Sequence, residues 1–156
     1  MGTSKRLVNS NVLTTLFPGL SSSVYRITSP ATGAYNCIGW AAGDSTAWWW
    51  PDDDPDNDAA YWPRDVPREE TIAAFVAAFG TLGYVPCGDE ILEAGFEKVA
   101  IYASTNDCPT HAAKQLPEGS WSSKLGTRED IEHSLHALEG DIYGRVILLL
   151  KRPTLE

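Results

Sequence analysis

The chain has 156 residues, 43% of them hydrophobic and 21% charged, which bounds one globular domain with a core of its own. A formal net charge of -9 at pH 7 argues against nucleic acid or an anionic membrane as partner, because no basic stripe exists to contact phosphates. No segment nears the roughly 18 to 20 apolar residues of a membrane helix, and the opening MGTSKRLVNSNVLTTLF lacks the continuous apolar run of a signal peptide. The expected location is therefore the cytoplasm, or outside it by a non-classical route.

Residues 1–34 carry weak patterns and read as an N-terminal arm, with loops PGLSSS and SPATGA around a short strand VYRIT at 24–28. Met1-Gly2 does not complete a myristoylation pattern, since Arg6 stands where Ser or Thr is needed. Residues 35–156 read as a single domain. NCIGWAAG predicts a short helix with Asn36 as N-cap, although Gly39 and Gly43 each cost about 1 kcal/mol relative to Ala inside a helix.

In the following stretch, STAWWWPDDDPDNDAAYWPRDVP, prolines and aspartates forbid regular structure while Trp and Tyr demand burial. It reads as an ordered loop anchored by its aromatics. REETIAAFVAAFGTLGY predicts a helix, with Ile72, Phe75, Val76 and Phe79 at i, i+3, i+4 and i+7, Glu69 and Glu70 in its first turn, and Gly80 or Gly83 ending it. FEKVAIYAS, THAAKQL and GSWSSKLG predict an antiparallel meander. TREDIEHSLHALE at 127–139 predicts a second helix, with Ile131, Leu135 and Leu138 on one stripe, and YGRVILLLKRP a closing strand buried on both faces. Helix before sheet is the order of an α+β fold.

Cys37 falls at the start of the first helix, where backbone N–H groups and the helix dipole favour thiolate. His111, at the head of the second meander strand, is the best-placed base. His133 and His136 fall on the predicted second helix, His136 toward solvent. The three cysteines, Cys37, Cys87 and Cys108, are an odd number without close pairing, which fits reduced thiols.

The strings YNCIGWAAGDSTAWWWP, YWP, LEAGFEKVAIYA, PTHAAKQLPEGSWSSKLG, DIEH, ALEG and YGRVILLLKRP resemble a bacterial domain family of uncharacterised function over residues 35–153. A more distant similarity, limited to the Cys-bearing helix and the His-bearing meander, is to papain-like cysteine amidohydrolases, the group of the cell-wall endopeptidases and CHAP amidases. It implies a papain-like α+β fold with N-terminal helices packed on a small antiparallel sheet. Cys37 would form a thioester, His111 would move the proton, and the Cys37 backbone N–H with Asn36 would hold the oxyanion. The third member falls on Ser122 or Ser123, a departure from the usual Asn, Asp, His or Gln. His133, Gln115 or Glu118 could substitute, with His133 favoured.

Cys108-Pro-Thr-His111 has the gap of a zinc half-site, with Cys87 as a third ligand, but no second pair completes it. Asp52, Asp54, Asp56 and Asp58 echo half of a calcium loop that lacks its glycine and has Pro63 at the last ligand position. No metal or cofactor is expected. Trp40, Trp48, Trp49, Trp50, Tyr61 and Trp62 read either as core anchors or as the wall of a cleft beside Cys37, and Lys124 either as a surface lysine or as an oxyanion or carboxylate contact. The expected function is hydrolysis of an amide or isopeptide bond in a peptide or protein. The alternative is a noncatalytic binding or toxin-associated module of the same fold, whose aromatic loop holds a partner protein.

Overall fold

The computed structural model describes residues 12–154; the beginning of the expected arm, with the Met1-Gly2 start, lies outside the described residues. One sheet organises the rest. Its seven strands are β1 (Arg26–Ser29), β2 (Val85–Cys87), β3 (Phe96–Ala103), β4 (Pro109–Gln115), β5 (Trp121–Lys124), β6 (Asp130–His133) and β7 (Arg145–Pro153). They lie in the order β1-β6-β5-β4-β3-β7-β2, and every neighbouring pair is antiparallel. The helices are short: α1 over residues 12–16, α2 (Cys37–Ala41) and α3 (Ile72–Gly80), with 3-10 turns at Pro18–Ser22 and Leu135–Leu138.

This architecture overturns the expected papain-like α+β arrangement of N-terminal helices on a small sheet; the fold is mostly β. The meander expected at residues 96–126 is present as β3, β4 and β5. The expected helix at 127–139 is instead β6 followed by a 3-10 turn. Glu69 and Glu70 precede α3, which starts after Thr71, whose hydroxyl accepts the Ala74 N–H. Strand β2 carried no clear signal because Pro86 sits at its centre, which an edge strand tolerates.

Side chains alternate across the sheet and feed two cores. Val99 and Ile101 of β3 and Ala112 of β4 pack with Ile38, Phe75, Phe79, Trp49 and Trp62. Ala100, Tyr102 and Ala113 pack on the other face with Leu13, Phe17, Leu20, Ile131 and Leu138. Burial on both faces explains why β3 is apolar with little alternation. Residues 12–34, within the expected arm, thus supply part of one core and, through β1, one edge of the sheet. β7 was expected to be buried on both faces, yet only Leu150 of it is fully buried, because the three residues of β2 cover just its C-terminal half.

The aromatic loop packs on the first core. Trp50 N–H donates to Tyr61 O, Tyr61 N–H donates to Trp48 O, and the Trp50 and Trp62 rings lie 5.6 and 5.2 Å from Phe75.

Candidate active site

Asn36 sets the position of Cys37. Its side-chain oxygen accepts the N–H groups of Gly39 and Trp49, and its amide donates to Trp49 O, so one residue caps α2 and ties it to the aromatic loop. α2 rests on β4 and β5. These two strands pair only at Lys114↔Ser122 and Gln115↔Trp121. Beyond that ladder the backbone N–H groups of Ala112, Ile38 and Cys37 itself act on the sulfur in the direction that favours thiolate.

Cys37 is 7% exposed. Burial pushes it up to about 11, against the opposing pull of those N–H groups and the Lys124 ammonium. The expected stabilised thiolate is therefore corrected to a neutral thiol: desolvation outweighs what a five-residue helix and its amides supply.

On β4, the residue before Ala112 is His111, fully buried. Its Nε2 lies 2.9 Å from Ser123 Oγ, and Ser123 Oγ lies 2.7 Å from His133 Nε2. His133 Nδ1 lies 2.7 Å from Ser134 O. A carbonyl only accepts, which fixes every donor in the row. His133 Nδ1–H donates to Ser134 O, the Ser123 hydroxyl donates to His133 Nε2, and His111 Nε2–H donates to Ser123 Oγ.

His111 Nδ1 is left with its lone pair, buried and without a hydrogen-bond partner. Both imidazoles are neutral: burial brings His133 down to about 4 and, with His133 beside it, pushes His111 well below its ordinary value. Tyr143 stacks on the His111 ring at 3.9 Å and 11°, and Tyr102 meets it edge-on at 5.1 Å. Alternation turns His111 toward the Tyr102 face of the sheet, whereas the thiol comes from the α2 side. The two are linked through adjacent residues of β4.

A cleft of about 410 Å³ opens at Cys37, with Trp48, Trp50, Asp52, Thr110 and Tyr143 among its walls. That size suits a small ligand or one or two residues of a peptide. A larger groove of about 880 Å³, lined by Leu92, Lys98, Lys114 and Arg152, lies away from the cysteine and both histidines.

The remaining expected residues divide. Trp50 and Asn36 line the cleft, but Asn36's polar atoms are engaged as a clamp. Trp40 lies outside it, stacked on Tyr35 with its Nε1–H on Ser122 Oγ and the Lys114 ammonium over its ring. Trp62 is a core anchor whose Nε1–H donates to Pro67 O. Lys124 is neither a surface lysine nor a substrate contact: it is buried, and its ammonium donates to the carbonyls of Thr32, Gly126 and Arg128 at 2.6–2.7 Å. Tyr143 gives no signal in the sequence, being a tyrosine in a Gly-flanked turn, and Asp52 signals only as one position of the incomplete calcium loop.

Among the described residues no three His, Cys, Asp or Glu side chains group so as to hold a metal ion. Cys108 is exposed while His111 is buried, and Cys87 sits on the far edge strand. In the acidic loop, Asp52 and Asp54 instead accept the N–H groups of Asp54 and Asp56. Among the described residues no helix is long and apolar enough to cross a membrane. No curated protein and no solved structure matches the chain. A family model does match over residues 26–151, from the first strand into the last, and the chain belongs to that family, described as a domain of unknown function (DUF7689).

Proposed function

We propose that this protein is a cysteine hydrolase that cleaves an amide or isopeptide bond of a peptide or protein through a thioester on Cys37. The observation that carries the reading is the direction of the buried row Ser134 O, His133, Ser123, His111, which leaves the His111 Nδ1 lone pair without a partner under the stacked ring of Tyr143, a residue that also lines the cleft at Cys37. In this reading Tyr143, which covers the His111 ring and also lines the cleft, swings aside so that the two groups meet, and the sulfur bonds to the acyl carbon as Nδ1 takes the thiol proton. The C–N bond then breaks, and the amine leaves with that proton. Water adds to the thioester with His111 again as base, releasing the acid and restoring the thiol. Because the thiol is neutral at rest, proton transfer accompanies attack instead of preceding it. Ser123 and His133 are positioning residues that hold the tautomer of His111. With Asn36 occupied as a clamp, backbone amides at the start of α2 are the candidate oxyanion donors. Peptidase, amidase and deamidase chemistry share the thioester step.

The test is acylation of the native protein by p-nitrophenyl acetate, with the site read by mass spectrometry. The expected result is an acetyl group on Cys37 that turns over in water, and its loss by at least about tenfold in His111→Ala. A noncatalytic module is the second reading, favoured by the buried thiol and by Tyr143 lying over His111. It predicts that Cys37 stays unmodified until the protein is denatured, the outcome that removes the hydrolase reading.

A further inference from the structure

Among the residues that line the cleft at Cys37 one is charged, Asp52, set among aromatic and small residues. That carboxylate is held in place: Oδ1 accepts the Asp54 N–H at 2.9 Å, Oδ2 accepts the Asn57 amide at 3.1 Å, and the Asp52 carbonyl accepts from Arg68 at 3.2 Å. Among the described residues no Lys, Arg or His forms an ion pair with it. The two tryptophans beside it are equally fixed. Trp48 donates its Nε1–H to Gly33 O at 2.6 Å, and Trp50 meets Phe75 at 5.6 Å and 76°.

A fixed carboxylate without a counter-ion, in a cleft that two indoles also line, repels an anion, gives a neutral chain no ionic partner, and gives a cation one. We infer that the cleft selects substrates carrying a primary ammonium group close to the bond that is cut, with Asp52 as its ionic contact and Trp48 and Trp50 as the walls around it. The inference rests on the hydrolase reading above and names its substrate class. Two kinds of substrate present that group: a peptide cut near a free amino terminus and a chain bearing a lysine-type amine.

The test uses alkylating probes of equal reactivity: N-(2-aminoethyl)chloroacetamide, its N-acetylated form, and N-(5-aminopentyl)chloroacetamide with its N-acetylated form. In each, the Cys37 sulfur bonds to the methylene carbon, chloride leaves, and the thiol proton passes to base. Alkylation of each cysteine is followed separately by mass spectrometry at neutral pH, with exposed Cys108 as the reference for the net charge of the protein. The amine form is expected to modify Cys37 at least about fivefold faster than the acetylated form, relative to Cys108. Asp52→Asn is expected to erase that preference, and Asp53→Asn, an equal charge change in an exposed neighbour, to leave it. A larger preference with the two-carbon spacer identifies an amino terminus, and with the five-carbon spacer a lysine-type chain. Equal rates at Cys37 for amine and acetylated forms overturn the inference and leave the hydrolase reading standing, as does a preference that survives Asp52→Asn. Failure of every probe to reach Cys37 in the folded protein removes both.

Discussion

At the scale of residues, the site is a row of neutral groups, and neutrality has a cost that depends on pH. In the unfolded chain a histidine titrates near 6.5, whereas in the folded protein burial brings His133 down to about 4 and pushes His111 well below its ordinary value. Between those values the unfolded state binds more protons than the native state, so stability is full above pH 6.5 and is lost as the pH falls toward 4. His133 alone accounts for about 3 kcal/mol over the whole window. Urea unfolding at pH 7 and pH 4.5 should therefore show a marked fall in midpoint, and His133→Gln, which cannot titrate, should reduce that fall and leave the part that His111 contributes. An unchanged midpoint would mean that these imidazoles are hydrated in solution. Cys37, His111, Ser123 and His133 were all legible as candidates because few residue types carry such chemistry. The neutral thiol was not, since the position of a cysteine in a sequence signals a helix start and says nothing of the desolvation around it.

At the scale of elements, α2 illustrates how a local cost is overridden. A glycine inside a helix is unfavourable by about 1 kcal/mol relative to alanine, so Gly39→Ala would stabilise an isolated helix. In the fold, a Cβ at Gly39 would stand 2.5 Å from Ala47 O and 3.1 Å from Asp44 O. Both are backbone atoms of the turn that Asn36 ties to α2, and they have little room to give. Gly39→Ala is therefore expected to destabilise the protein by about 1–3 kcal/mol, read as a lower melting temperature, and to loosen the aromatic loop, read as faster amide exchange at Trp49. The N-cap at Asn36 was legible because its mechanism is local. The helix expected at 127–139 was not, because Ile131, Leu135 and Leu138 make the same stripe whether the chain is helical or a strand followed by a 3-10 turn. Alternation is hidden in β6, where Asp130 and His133 are buried and hydrogen-bonded to Tyr35 and Ser123.

At the scale of the whole molecule, the sheet takes covering from segments too short to announce themselves. One face is closed by α2, α3 and an irregular aromatic loop, the other by α1 and two 3-10 turns. A reading based on helix periodicity weighs the single clear helix too heavily, which is how an α+β layout was expected of a mostly-β chain. Distant parts of such a chain need ties that secondary structure does not supply, and Lys124 is one. From the end of β5 its ammonium reaches Gly126 and Arg128 in the turn before β6 and Thr32 in the loop after β1. Gly126 also lines the Cys37 cleft. All three donors are thus used on backbone carbonyls, and Asp130 nearby offsets the charge, although burial still lowers the Lys124 pKa. Lys124→Met keeps much of the packing and leaves three carbonyls and Asp130 uncompensated, which is expected to cost about 3–5 kcal/mol. Lys124→Arg should rescue little, because a planar guanidinium cannot direct three donors as a tetrahedral ammonium does. If both variants instead melt with the wild type, the carbonyls have water as an equal partner and the tie between the first strand and the rim of the cleft carries no stability.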